Sequence, residues 1–286
     1  MLHPNYLKIV FIAILLSSQL SFSQIKIGAK AGYSIGNIND TSDNIYARDY
    51  KSTSGVDFGL LAEFPISNDF SIQAELSFTQ RGGERDGIQP IPLDYLEDAL
   101  GNNGLSLDVL NQLIQAQGGA PINDSNPLYA DFNNISELEY LEIPILAKYG
   151  WGSDWRFYVT GGPYIGILLN ANQETSGTSQ FYLDSGGTMP LMVPNPFYDG
   201  TPANGPQFVP LPAQSFEATT DVKDDLNTFN FGAQGGVGII RKLAEQHEVF
   251  FDFRASYSFI PIQKEEVYGE SKIGAFVFSL GYAFTL

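Results

Sequence analysis

Cysteine is absent from this chain, which excludes disulfides, thiol catalysis and a lipid anchor carried on a cysteine near an export cut. Histidine is nearly absent too, with two residues, and cations are few: 15 Lys and Arg stand against 32 Asp and Glu, a formal charge of −17. So acidic a chain excludes nucleic-acid binding through a basic surface. Long apolar runs are also missing. The longest candidate, IVFIAILL at residues 9–16, falls well short of the roughly 20 residues a helix needs to cross a bilayer.

That run has another reading. Lys8 precedes it, and Ser21 and Ser23 place small residues at the positions a signal peptidase reads before a cut at Gln24. Residues 1–23 are therefore expected to be a secretory signal peptide, with residues 24–286 as one mature domain. Removing one lysine and no acid takes the charge from −17 to −18. With no spanning helix, an exported chain can enter a membrane only as a closed barrel, because lipid offers no other partner for backbone N–H and C=O groups.

What the chain has in abundance is alternation. In residues 25–36 (IKIGAKAGYSIG), Ile25, Ile27, Ala29, Ala31, Tyr33 and Ile35 share one side, and Lys26, Gly28, Lys30, Gly32 and Ser34 the other. A period of two over that length predicts a strand. The same pattern recurs at 54–66, 70–81, 138–149, 155–170, 226–241, 247–259 and 272–286. Pro144 predicts a local irregularity in the fourth run, since proline offers no N–H to a neighbour.

The connections between runs are alternately long and short, with a moderate one last. This is the rhythm of an outer-membrane barrel, whose termini and short turns face the periplasm and whose long loops face outside. The expected fold is all-β, an eight-stranded antiparallel transmembrane β-barrel with two long extracellular inserts, 82–136 and 171–225. The first insert carries apolar residues at helical spacing and predicts two short helices broken at 101–104. In the second, the apolar piece 189–196 either packs over the barrel rim or offers a contact site.

One face of the runs is nearly free of charge. The other holds Lys26, Lys30, Arg81, Lys148, Arg156 and Arg254 against Asp57, Glu63, Glu75, Glu142, Glu248 and Asp252. Turning that face outward would place the aromatic stripes in a soluble core; turning it inward fills a narrow lumen with balanced charge. Burying a charge unpaired costs several kcal/mol or more, so internal ion pairs are expected. A charge-lined conducting path is the alternative, and eight strands leave little room for one.

Chemistry-bearing motifs are sparse. His247 is the only histidine beyond the signal peptide and lies beside a short turn; no G-x-S-x-G elbow joins a strand to a helix. Asp94, Glu97, Asp98 and Asp108 in one insert, and Asp221, Asp224 and Asp225 in the other, read as a solvated acidic rim. The last three could offer oxygen ligands to Ca²⁺, without the spacing of a dedicated loop. Gly161-Gly162 and the glycines at 235–238 lie inside strands, so they are not phosphate loops; they make room for large inward neighbours. No catalytic, cofactor or metal site is predicted.

The final run, KIGAFVFSLGYAFTL at 272–286, is expected to pair with residues 25–36 and close the sheet. Ser279, Gly281, Phe284 and Leu286 within it resemble the C-terminal signal read by the barrel-assembly machinery.

Six pieces together resemble the PorT-like outer-membrane β-barrel proteins of Bacteroidota: IGAKAGYSIG at 27–36, AELSFTQRGG at 74–83, YLEIPILAKYG at 140–150, GGPYIGILL at 161–169, FDFRASYSF at 251–259 and the terminal SLGYAFTL. The resemblance implies an eight-stranded barrel in the outer membrane, in contact with its lipids, with no catalytic motif. One member of that group is linked to type IX protein secretion; the two long inserts set this chain apart from compact members. The expected function is non-enzymatic: surface binding through the outer loops to an unknown surface or periplasmic protein partner or ligand. A small transport or secretion-accessory barrel and a lipid-modifying enzyme at the membrane rim are the alternatives.

Overall fold

The computed structural model describes residues 25–40, 44–47, 49–93, 95–97, 106–201, 205–266 and 269–286. Within them the chain is mostly β, a large antiparallel sheet with a few short helices. The strands are β1 (Lys26–Asp40), β2 (Lys51–Pro65), β3 (Phe70–Pro90), β4 (Tyr129–Gly152), β5 (Trp155–Ser179), the short β6 (Phe181–Tyr182), β7 (Met192–Pro194), β8 (Phe208–Pro210) and β9 (Gln214–Asp221), then β10 (Phe229–Lys242), β11 (His247–Ser258) and β12 (Ser271–Thr285). Each of the eight alternating runs lies within or overlaps one of the long strands. The count of eight is nonetheless four short, because β6 to β9 form inside the second insert.

The main sheet runs β6-β4-β3-β2-β1-β12-β11-β10-β5-β9, and β4 pairs in addition with β5. The predicted pairing of first and last runs is present, from Lys26 opposite Thr285 to Asp40 opposite Ser271. Around Pro144 the β3–β4 pairing lapses between Ala74↔Ile145 and Ser77↔Glu142 and resumes in the same register, as expected for a residue with no N–H to donate.

The inserts expected at 82–136 and 171–225 are shorter than predicted, because strands extend into both. β3 continues to Pro90 and β4 starts at Tyr129, the two pairing to their tips. β5 continues to Ser179, and β9 pairs along that extension from Asn172↔Asp221 to Ser179↔Gln214. At ~3.3 Å per residue, residues 170–179 alone carry β5 roughly 30 Å further. In the first insert, α1 (Leu107–Ala116) is one of the two predicted helices; Ser106 Oγ accepts the Val109 N–H at 3.3 Å as its N-cap. Residues 93 and 95–97 are also helical, and the predicted break at 101–104 lies outside the described residues. No helix among the described residues is long and apolar enough to cross a membrane.

Each long strand turns apolar side chains outward over about eleven residues, the length a tilted strand needs to cross a hydrocarbon layer. On β12 these are Phe276, Phe278, Leu280 and Tyr282, with Leu280 66% exposed. On β5 they are Trp155, Phe157, Val159, Ile165 and Leu169. Beyond the band the outward residues become polar: Asn37 and Asn39 on β1, Glu137 and Glu139 on β4.

The other face buries charge, and the charge is paired. Lys30 reaches Asp57 at 3.3 Å and Glu75 at 3.0 Å. Arg254 holds Glu75 at 2.8 Å and Asp252 at 2.5 Å. Arg81 meets Glu142 at 2.8 Å, Lys148 meets Glu63 at 2.7 Å, and Lys26 meets Glu248 at 2.9 Å. Rings complete the packing: Lys148 lies 4.3 Å from the Tyr158 ring centroid and Arg81 lies 5.6 Å from that of Tyr164. Of the inward cations named from the sequence, Arg156 differs. It sits at the rim, 3.9 Å from Asp69 in the β2–β3 turn, and donates to the Gly150 carbonyl at 3.2 Å.

Large inward side chains fit because glycines face them. A Cβ at Gly238 would run into the Tyr158 ring, and one at Gly281 into Phe250. Two adjacent glycines, Gly162 on the inward face of β5 and Gly161 on the outward one, separate the two sides of the strand. A Cβ at Gly162 would overlap the carbonyl oxygen of Ile145, whereas at Gly161 it would meet only the Gln234 oxygen, at 4.0 Å. Gly162→Ala is expected to lower stability by about 1–3 kcal/mol and Gly161→Ala to change it by no more than about 0.5 kcal/mol, read from urea unfolding in detergent micelles. In the same assay Glu75→Gln, which leaves Lys30 and Arg254 buried beside a neutral amide, should cost about 3–5 kcal/mol. Arg156→Gln at the rim should cost no more than ~1 kcal/mol.

Candidate functional site

The buried ion pairs end against an apolar cluster on the side away from the short turns. Ile38 from β1 and Ile273 from β12 meet Leu138 and Tyr140 from β4 and Leu168 and Ala171 from β5, with Leu226 and Ile262 from the connections. β1 and β12 pair with neither β4 nor β5, so these contacts join strands that are not neighbours in the sheet.

Beyond this cluster the two inserts fold together around a second core. Leu96, Leu110, Ile114, Ile122 and Leu128 of the first insert pack with Leu191 of the second, with Phe181 and Leu211 against them. α1 contributes because its apolar residues Leu110 and Ile114 recur at i and i+4 and so share a face. The apolar piece 189–196 is placed by this packing. Leu191 is buried and β7 pairs with β8, while Met189 stays exposed.

Between the two apolar clusters lies a cavity of about 470 Å³, within the size range of small-molecule sites. Its floor is the first cluster, through Ile38, Leu138, Leu226 and Ile262. One wall is aromatic: Phe132 stacks on Phe216 with centroids 5.3 Å apart, and Phe181 meets Phe216 edge-on at 5.8 Å. The other wall carries polar groups on the paired extensions of β3 and β4. Arg85 and Asn134 are cross-strand neighbours there. Arg85 Nη1 donates to the Tyr46 carbonyl at 3.3 Å, and Gln89 Nε2 donates to the Phe132 carbonyl at 2.7 Å.

Tyr50, outside the apolar band, also lines the cavity. Burial raises its hydroxyl pKa above the ordinary range, against the opposing effects of the Arg85 guanidinium and a hydrogen bond with Ser136. Asn134 keeps its amide oxygen buried with no hydrogen-bond partner among the described residues. An apolar floor, an aromatic wall and a few oriented polar groups make a surface suited to holding a molecule.

Of the residues singled out from the sequence as candidates for chemistry, Asp225 lines the cavity and the others lie elsewhere. His247 opens β11 and its Nδ1 is hydrogen-bonded to the Tyr282 hydroxyl, with its ring 5.2 Å from that of Phe284. Asp221 Oδ1 accepts the Lys223 N–H at 3.0 Å, and Asp225 reaches the cavity mouth. Among the described residues no group of three or more His, Cys, Asp or Glu could hold a metal ion. Asp94 and Asp98 lie outside the described residues. Ser279 and Gly281 face inward on β12, and the Leu286 N–H donates to the Ile25 carbonyl at 2.9 Å, next to the β1–β12 seam.

Sequence reasoning missed Arg85, Gln89 and Asn134, because Gly82-Gly83 and Pro90 read as the end of order. The signal that could have found them is the alternation of Ala130, Phe132, Asn134, Ser136 and Leu138, all buried, with Asp131, Asn133, Ile135 and Glu137.

Comparison with curated proteins finds no match. Among solved structures the chain aligns with Neisserial surface protein A (10% identity, 92% of this chain and 97% of that one, TM-score 0.37). It also aligns with the attachment invasion locus protein Ail of Yersinia pestis (11%, 92% and 100%, 0.36) and with OprG of Pseudomonas aeruginosa (9%, 92% and 96%, 0.39). At these identities and scores the likenesses carry no information on activity. The family model described as outer membrane protein beta-barrel domain matches residues 17–264, most of the chain, and the protein belongs to that family.

Proposed function

We propose that this protein is a non-enzymatic outer-membrane barrel that binds a ligand or partner through its folded outer cap and passes no solute through its lumen. In this reading the eight long strands form a closed transmembrane barrel. The β4–β5 pairing supports closure, because it joins two strands otherwise far apart in the sheet order. The outward apolar band supports contact with lipid. The observation that carries the function is the stacking of layers: paired charges, then an apolar cluster joining strands that are not neighbours, then a cavity roofed by both inserts.

Orientation follows the same logic. The start of β1, the end of β12 and the short turns after β2, β4 and β10 share one end of the sheet, as Lys26↔Thr285, Phe70↔Tyr149 and Lys242↔Glu248 indicate. That end is assigned to the periplasm, after removal of residues 1–23 before Gln24. PorT-like kinship within the family rests on the motifs at 27–36, 74–83 and 140–150. Recognition by the assembly machinery is assigned to Ser279, Gly281, Phe284 and Leu286.

Conductance separates binding from transport. Protein inserted in a planar bilayer, with insertion verified by labelling, should give no steps above the bare membrane; regular ion-conducting steps would establish the transport reading instead. Affinity capture from native outer membranes should lose its specific partners when residues 91–128 or 180–213 are replaced by short linkers. Unchanged recovery from both variants would end the case for binding through the cap. Removal of residues 284–286 should abolish heat-modifiable, membrane-inserted protein, and normal insertion of that truncation would remove the assembly role of the last strand.

A further inference from the structure

We infer that the free edge of β9 is the docking site for an extended basic segment of a polypeptide partner, which adds to the sheet as a further antiparallel strand. This rests on the surface-binding reading above and names the place and the partner's chemistry. β9 pairs with β5 along one side, from Asn172↔Asp221 to Ser179↔Gln214 without a register shift, and ends the order of the sheet. Among the described residues no strand pairs with its other side, and six of its eight residues are exposed. The Val222 N–H donates to the Ala171 carbonyl at 3.0 Å, one step beyond Asn172↔Asp221. Hydrogen-bonded pairs alternate along an antiparallel ladder, so Ser215, Glu217, Thr219 and Asp221 turn N–H and C=O away from β5. Proteins that keep such an edge unpaired guard it with proline, lysine, a bulge or a very short strand. The segment QSFEATTD at 214–221 has none of these.

Charge names the partner. Residues 129–139 of β4, 170–179 of β5 and 214–221 of β9 hold no lysine or arginine. Their charged residues are Asp131, Glu137, Glu139, Glu174, Glu217 and Asp221. All share the face turned away from the cavity: the register sets Glu137 opposite Asn172 and Asn172 opposite Asp221, and alternation along each strand carries the rest. Antiparallel addition, the more stable pairing, places every second side chain of the new strand on this acidic face, across from Glu217 and Asp221. Opposite charges stabilise such cross-strand pairs and like charges oppose them. The side chains between point the other way, beside Phe216, Ala218 and Thr220 at the cavity, and are apolar in this assignment. A second copy of this chain fits poorly, because two β9 edges would bring the same carboxylates together.

The probe is a labelled peptide of alternating lysine and valine, matched in length to β9 and added to the full mature chain in phosphatidylcholine nanodiscs. Fluorescence anisotropy, with empty nanodiscs subtracted, should show saturable binding at one site per chain. The same peptide N-methylated on its lysines keeps its charge but loses the N–H groups that face β9. It should bind roughly tenfold more weakly, as expected for the loss of several edge hydrogen bonds. A peptide of alternating glutamate and valine should also bind about tenfold more weakly, since cross-strand attractions become repulsions. Thr219→Pro removes an N–H on the free side of β9, where β5 makes no use of it, and should weaken the lysine peptide by a similar factor. Glu217→Lys should weaken the lysine peptide and favour the glutamate one, and serves if Thr219→Pro fails to fold by heat-modifiable mobility. Signal no greater than that of empty nanodiscs, equal binding of the methylated peptide, or unchanged binding to the folded variants would overturn the inference. Cross-linked dimers of the unaltered chain that vanish in Thr219→Pro would give the edge to a second copy and overturn it as well. Should the edge fail while capture of surface partners still depends on the cap, this docking site falls and cap-mediated binding stands; a bound peptide with capture unchanged by cap replacement gives the reverse.

Discussion

Everything in this molecule depends on burying charge only in pairs. A strand alternates by geometry, so a chain that turns aromatic residues outward must turn the intervening residues inward. Here those residues include lysine, arginine, glutamate and aspartate. Each would cost several kcal/mol alone in a dry interior, and the structure answers by linking them: Glu75 accepts from both Lys30 and Arg254, and Arg254 also holds Asp252. Glycines opposite Tyr158 and Phe250 give the rings space to complete the filling.

That constraint separates the molecule into a charged interior and an outer part that works by different rules. Past the apolar band, the extended strands no longer need to present hydrocarbon to their surroundings. They carry polar residues outward and bring Leu138, Tyr140, Leu168 and Ile273 together instead. The cap then has a core of its own, in which Leu110 and Ile114 of α1 pack beside Leu191 from the other insert. The cavity lies where these two apolar clusters do not merge, lined by the aromatic wall and by Arg85 and Asn134 of β3 and β4.

The long strands, the seam between first and last, the irregularity at Pro144 and the pairing of inward charges were all legible from the residues. Each is a local or period-two property, and opposite charges confined to one interior have few ways to be satisfied. The extensions of β3, β4 and β5 were not legible, since Gly82-Gly83 and Pro90 carry the usual marks of a loop. Nor were β6 to β9, because strands of two or three residues leave no period to read. The acidic residues drew attention that belonged to Asn134 and Arg85, whose importance comes only from being opposite each other on paired extensions.

By itself the amino-acid sequence determined the β character, which face of each strand is apolar and which holds charge, because alternation and desolvation act residue by residue. The tertiary structure alone decided that the two inserts form one cap, that an apolar cluster joins non-neighbouring strands beneath it, and that a cavity lies between. Those features join residues far apart in the chain, such as Leu110 with Leu191 and Phe132 with Phe216. No local pattern encodes which distant apolar groups will leave water together; that choice is made only when strand register sets their distances.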